Sequence, residues 1–322
     1  MKIHFLKNHT VIFFIVFLIL LGVPFLIKNN YYLHLIILSG IFMILVSGYN
    51  LILGYVGFFS LAHTAWFGIG AYTSALLSTK LGVSFWVGLL AAGILSSFFS
   101  YLIGLVTLRL RGHAFILVSF CFAEVIKLIS INWISLTQGP MGIIAIPPPG
   151  NINFYLFSLN FSAKSSFYYL ILFLSLLSIY VVSRLTNSRY GRAFIAIREN
   201  EDLAKSIGID TFGHALVAFV VGAFLAGLAG SFYSHYVSVI SPELFSFQYM
   251  VTMLIMLYIG GRGTIMGPII GAMLFTGLPE FLRVSKGLRM PIFGLILVFA
   301  ILFMPKGIMQ LKEMRWRTKN KW

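Results

Sequence analysis

The sequence predicts an all-α fold: one membrane-spanning domain over residues 1–322 that crosses the bilayer about ten times. Three observations predict it. Apolar side chains make up 59% of the 322 residues. Charged ones make up only 10%, against about 25% in a soluble domain. Apolar runs of about 20 residues, enough to cross hydrocarbon, recur along the chain. These figures exclude a soluble enzyme, a disordered tail and a secreted disulfide scaffold. The single cysteine, Cys121, sits inside an apolar run and has no partner cysteine for a disulfide or a Cys-rich metal site. The net charge of +15 comes without any nucleic-acid-binding motif, so the expected partner is the lipid bilayer and not nucleic acid.

The runs fall near residues 11–27, 33–53, 63–79, 84–108, 114–134, 166–185, 214–237, 244–261, 265–282 and 289–304. The first follows Lys2 and Lys7 as in a signal peptide. No small-residue cleavage site precedes Asn29 and Asn30, so it reads as an uncleaved span. An even count places both termini on one side. With the termini and the basic tail 305–322 in the cytoplasm, sixteen Lys and Arg lie inside and six outside. That bias is the one expected of cytoplasmic loops.

Between the second and third runs, residues 48–72 are interrupted by Gly54, Gly57, Gly68 and Gly70 and carry the neutral polar groups Asn50, Ser60, His63 and Thr64. The stretch is too apolar for a wet loop, which predicts a broken or re-entrant helix near residues 54–70. Irregular backbone survives at membrane depth only where protein or a water-filled cavity satisfies it. Such breaks line solute paths in transporters; glycines also let helices pack closely. Both readings stand. His63 has no second ligand spaced for a metal, and Ser60–His63 lacks the Gly-x-Ser-x-Gly elbow of a hydrolase.

The run 114–134 carries Glu124 and Lys127, three apart with the acid first, a spacing that pairs them on one helix face. Two readings again stand: a structural intramembrane pair, or a pair that touches solute. The spans hold few acids otherwise, which argues against a sodium- or proton-coupled carrier. An outer loop, residues 135–165, follows with the turn residues Thr137, Gly139, Pro140 and Gly142.

The inner loop, residues 186–213, places Ala193, Ile197, Ala204 and Ile207 on one helical face, with Gly208 as the helix stop. Arg192, Arg198 and Lys205 balance Glu199, Glu201 and Asp202. Arg198–Asp202 and Glu201–Lys205 are spaced to pair along the helix. A helix laid on anionic lipid would be net basic. A charge-balanced one suits either solvent or a protein socket. No Gly-x-x-x-x-Gly-Lys-Ser/Thr phosphate loop is present, and Gly260-Gly-Arg-Gly-Thr-Ile-Met-Gly267 reads as a tight turn and packing surface.

Four stretches together resemble a known family: the Gly57-Phe-Phe-Ser-Leu-Ala-His63 core of residues 48–72; residues 110–132, from Leu-Arg-Gly-His to Ala-Glu-Val-Ile-Lys; residues 137–143; and residues 188–233, from Ser-Arg-Tyr-Gly-Arg-Ala to Ala-Gly-Leu-Ala-Gly. They are similar to the LivM-type permeases of branched-chain amino acid ABC importers. The resemblance runs from about residue 40 to 305 and is most specific over residues 189–208.

It implies a multi-pass subunit of the bacterial cytoplasmic (inner) membrane. The expected partners are a second, LivH-like permease, ATP-binding subunits and a solute-binding protein. It implies that Gly191, Arg192, Ala196, Arg198, Glu199, Asn200, Glu201, Ala204 and Gly208 form the ATPase-coupling helix. It assigns Gly54, Gly57, Ser60 and His63, with Thr137, Gly139, Pro140 and Gly142, to the solute path. No catalytic residue, metal or bound cofactor is expected in this chain. Two departures bear on the solute: the family has Thr-Gly-Gly-Pro-Asn-Gly where this chain has Thr137-Gln-Gly-Pro-Met-Gly142, and Ser-Leu-Gly-His where it has Ser60-Leu-Ala-His63. A stand-alone secondary carrier remains as the alternative, supported by the internal likeness of Gly68-Ile-Gly-Ala to Ile269-Ile-Gly-Ala.

Overall fold

The computed structural model describes residues 20–27, 29–110, 112–150, 152–154, 157–159 and 163–281, with positions 295, 298 and 307. Most of the first predicted run, nearly all of the last and the basic tail lie outside the described residues, as do parts of the outer loop.

Helix α1 (Asn30–Tyr49) is capped by Asn29, whose side chain accepts from the Tyr31 N–H at 2.9 Å. It continues without interruption as a π-helical turn, Asn50–Val56, and stops at Gly57 with φ +91°. Residues 57–62 are irregular. Helix α2 (His63–Leu81) then begins and ends at Gly82. The predicted break is therefore present. Helices α3 (Phe85–Thr107) and α4 (His113–Asn132) and the single turn α5 (Ile134–Thr137) follow. Among the described residues, five helical stretches are long and apolar enough to span a membrane: α1 with its π extension, α3, α4, α6 (Lys164–Thr186) and α9 (Thr211–Val237). Helix α2 is nearly as long but is diluted by His63, Thr64, Ser74 and Lys80. Helices α10 (Phe247–Gly260) and α11 (Met266–Phe281) are shorter.

The predicted run 244–261 is not one straight helix. A 3-10 turn, Pro242–Phe245, precedes α10, so only 14 residues are α-helical. Pro242 lacks the N–H a continuous helix would need there.

Helix α9 is the axis of the bundle and packs on α3, α2 and α1. Small residues allow this. A Cβ added to Gly48 would lie 2.6 Å from the Gly222 carbonyl, so α1 and α9 touch backbone to backbone. Hydroxyls tie the same helices: Ser96 donates to the Trp66 carbonyl at 3.0 Å and Ser100 to the Phe219 carbonyl at 3.1 Å. In an apolar solvent such bonds and close contacts stand in for the missing hydrophobic drive between helices.

Among the described residues, two small antiparallel ladders occur in the segments that join the helices. Strand β1 (Ile143–Ile144) pairs with β4 (Val239–Ile240), and β2 (Ile152–Phe154) with β3 (Phe157–Leu159). His235 latches the outer loop to the core. Its Nδ1–H donates to the Pro147 carbonyl at 2.6 Å, and its Nε2 meets the Ser74 hydroxyl at 2.9 Å.

Candidate functional site

The loop over residues 186–213, expected on the inner side, folds as two helices rather than the single predicted one: α7 (Arg189–Glu199) and α8 (Glu201–Ser206). The break is Asn200, at φ −161° and ψ 110°, whose side chain accepts from the Leu203 N–H at 3.0 Å. Asn is a strong N-cap and competes with the helix it interrupts. The kink rotates α8. Ala193, Ile197 and Ala204 are buried as predicted, whereas Ile207 is 68% exposed. The kink also separates Arg198 from Asp202. The predicted pair there does not form, while Lys205 and Glu201 do pair at 2.6 Å. Gly208 ends α8 at φ +83°, with its N–H on the Lys205 carbonyl at 3.0 Å.

Arg198 is freed for a different role. Its Nη1 donates to the Gly54 carbonyl at 2.8 Å and its Nη2 to Glu199 Oε1 at 3.0 Å. Gly54 lies in the last turn of the π-helix, where carbonyls lack intrahelical partners. A cation at a helix C-terminus also meets the negative end of its dipole. Arg198 therefore caps the end of α1 from the inner loop. Gly57 makes room for it: a Cβ there would lie 2.8 Å from Arg198 Cγ, and its φ of +91° disfavours any other residue.

A second clasp lies alongside. Asn50 Nδ2 donates to the Thr264 carbonyl at 2.8 Å, and Asn50 Oδ1 accepts from the Gly263 N–H at 2.8 Å. Gly54 has no room for a side chain, because a Cβ would run into Asn50 Oδ1. The loop helix α7, the π-helical end of α1 and the α10–α11 turn thus meet within a few residues. Hydrogen bonds thus join α7 to the end of α1, and α1 to the α10–α11 turn.

The face of the loop turned away from the bundle carries charges and apolar knobs. Arg192, Glu199, Asn200, Gly208, Tyr190, Ile195 and Leu203 are exposed along it. Gly191 and Ala204 point inward, Ala196 and Glu201 are half-buried, and Gly191 lets α7 press on the Thr186 carbonyl at the end of α6. Beside the loop, Phe58, Arg109, Glu201, Lys205, Thr211 and Phe212 line a cleft of about 440 Å³.

The predicted path residues fall at two ends of α2. Ser60 is buried; its carbonyl accepts from the Tyr49 hydroxyl at 3.0 Å. His63 is buried, with Nε2 donating to the Leu45 carbonyl at 3.0 Å. Ser60 and His63 are bonded to other groups and not to each other. The His63 Nδ1 has no partner among the described residues. At the far end, the Thr137 hydroxyl is held by the Ser130 and Trp133 carbonyls. Gly139 and Gly142 are buried at φ +64° and +69°, and Pro140 and Met141 are exposed. Lys80, at the end of α2, donates to the Ser135 carbonyl at 2.7 Å. At 1.5 Å per residue, His63 and Lys80 are about 26 Å apart, so these groups lie near opposite ends of α2 and do not form one pocket. Glu124 and Lys127 pair at 3.6 Å between those levels. No cluster of three His, Cys, Asp or Glu placed to hold a metal occurs among the described residues.

Comparison with known proteins matches residues 31–304 to the family described as "Branched-chain amino acid transport system / permease component". The chain belongs to this family. It is 31% identical to the high-affinity branched-chain amino acid transport permease LivM of Escherichia coli K12, over 95% of this chain and 77% of that protein. It is 26% identical to the LivH permease of Salmonella typhimurium, over 84% of this chain and 92% of that one. It is also 28% identical to the BraD permease of Pseudomonas aeruginosa, over 83% and 91%. No solved structure matches. A family member of this composition is a multi-pass membrane permease and not an enzyme, so the Ser–His pair needs no catalytic role.

Sequence reasoning did not single out the partners of Arg198 and Asn50. Gly54 and Gly57 were the visible signal: two glycines three apart at a helix end mark a place where another chain segment comes close.

Proposed function

We propose that this chain is one of two permease subunits of an ABC importer for branched-chain amino acids. A LivH-like permease completes the pathway, and a solute-binding protein delivers the amino acid. Nucleotide chemistry belongs to separate ATP-binding subunits. The bacterial inner membrane, with termini in the cytoplasm, is its place. Similarity to both LivM and LivH, each named a permease protein of a high-affinity branched-chain amino acid transport system, supports the pairing.

The observation that carries the coupling reading is the Arg198–Gly54 bond. Helices α7 and α8 present Tyr190, Arg192, Ile195, Glu199 and Leu203 outward to the ATPase. Their inner face holds the π-helical end of α1 through Arg198. Closure of the ATPase subunits pushes α7, and the push reaches α1 and, through Asn50, the α10–α11 turn. Glycine-broken backbone at residues 57–62 bends, so the inner mouth at Ser60 and His63 opens as the outer mouth at Thr137–Gly142 closes. A solute with an apolar side chain and a balanced charge suits a path with neutral polar groups and Phe, Leu and Ile walls.

Charge reversal at Glu199, and Gly208→Pro, test the docking surface. Loss of ATPase co-purification together with loss of uptake is expected. Normal values for both would remove the assignment. Competition of uptake by leucine, isoleucine and urea tests the solute class.

A further inference from the structure

We infer that Glu124 and Lys127 form a binding site for the charged groups of a zwitterionic α-amino acid, part-way across the membrane. This deepens the importer reading and rests on it. Helix α4 buries only Phe115, Ser119, Ala123 and Ser130 within this chain. Phe120, Glu124, Lys127 and Ile131 follow at three- and four-residue spacings and form a different flank. The Glu124 and Lys127 side chains remain 32% and 30% exposed. They lie eleven and fourteen residues into α4, about 17 and 21 Å from its loop-side end, at hydrocarbon depth.

Charges at that depth do not face lipid stably. A purely structural pair, buried against protein, would need its remaining valences filled. A carboxylate has about four acceptor sites and an ammonium three donors. Among the described residues each group meets only the other, through one contact of 3.6 Å. The pair is therefore under-satisfied and open on one side. The neighbouring surface is aromatic: the Phe120 ring meets Phe247, at the start of α10, edge to face at 5.9 Å. Helix α10 therefore begins beside Phe120, about one helical turn from Glu124.

The complement of this flank is a molecule with an ammonium and a carboxylate a few ångströms apart and an apolar tail. Glu124 takes the ammonium, Lys127 the carboxylate, and Phe120, Ile131 and Phe247 the tail. A neutral ligand entering a neutral ion pair leaves the net charge of the membrane interior unchanged at every stage. No coupling ion is required.

The test uses the assembled complex of this chain with its second permease, ATPase and leucine-loaded binding protein in liposomes. Glu124→Gln, Lys127→Gln and the double variant are compared for co-purification and for ATP-driven leucine uptake. Each is expected to assemble and to lose uptake at least tenfold, with the double variant no better than either single one. A structural pair behaves differently: the double variant removes both charges and recovers relative to the singles. Recovery to within twofold of the unmodified complex would overturn the assignment, and so would failure of the variants to assemble. If the unmodified complex imports no zwitterionic amino acid, the importer reading itself fails and takes this site with it.

Discussion

Replacing Arg198 by alanine removes the link between the inner loop and the end of α1. Two bonds are lost. The bond to Glu199 is exposed, with Glu199 at 70%, and contributes at most about 1 kcal/mol. The bond to the Gly54 carbonyl is partly buried and charge-assisted, a class worth about 1.5–3 kcal/mol. A loss of about 2 kcal/mol shifts the balance between docked and released α7 about 30-fold. The fold does not depend on this bond, because Ala193, Phe194 and Ile197 still bury α7. ATP hydrolysis by the assembled complex should therefore continue while leucine moved per ATP falls about tenfold or more. Arg198→Lys, which keeps the charge but loses the planar fork that reaches both acceptors, should fall between. The assay is paired uptake and phosphate release in liposomes. An Arg198→Ala complex with an unchanged leucine-to-ATP ratio would refute the reasoning.

Three further outcomes are expected. Asn50→Ala leaves the Gly263 N–H and Thr264 carbonyl without partners and should destabilise the protein by about 2 kcal/mol, read as a lower thermal midpoint in detergent. Gly222→Leu drives a side chain into the Gly48 carbonyl and should cost about 3 kcal/mol or more, read as loss of folded protein. Leu203→Ser with Ile207→Ser removes outward apolar surface without touching the core; ATPase affinity should drop more than tenfold while the thermal midpoint stays put.

Much of this was legible in the residues, for physical reasons. A membrane forces spans to be long and apolar, so α1, α3, α4, α6 and α9 stand out by composition. The break after Val56 was legible because Gly54 and Gly57 weaken a helix that nothing else interrupts. The loop helix was legible from Ala193, Ile197 and Ala204, and its end from Gly208. What was not legible was long-range or competitive. Arg198 and Gly54 are 144 residues apart, and Asn50 and Gly263 are 213 apart, so neither pair has a local signature. The kink at Asn200 arises because its side chain caps α8 better than it continues α7, a contest that periodicity does not show. The late start of α10 has the same character, since the apolar Leu244 and Phe245 belong to the 3-10 turn that Pro242 opens and not to the helix after it.

In the proposed mechanism this permease moves only when its inner loop is driven by a nucleotide-hydrolysing partner. Leucine accumulation in liposomes carrying the two permeases, with and without the ATPase subunits and ATP, tests it most directly. Accumulation is expected only when both ATPase and ATP are present. Accumulation by the permeases alone, under an ion gradient, would contradict it.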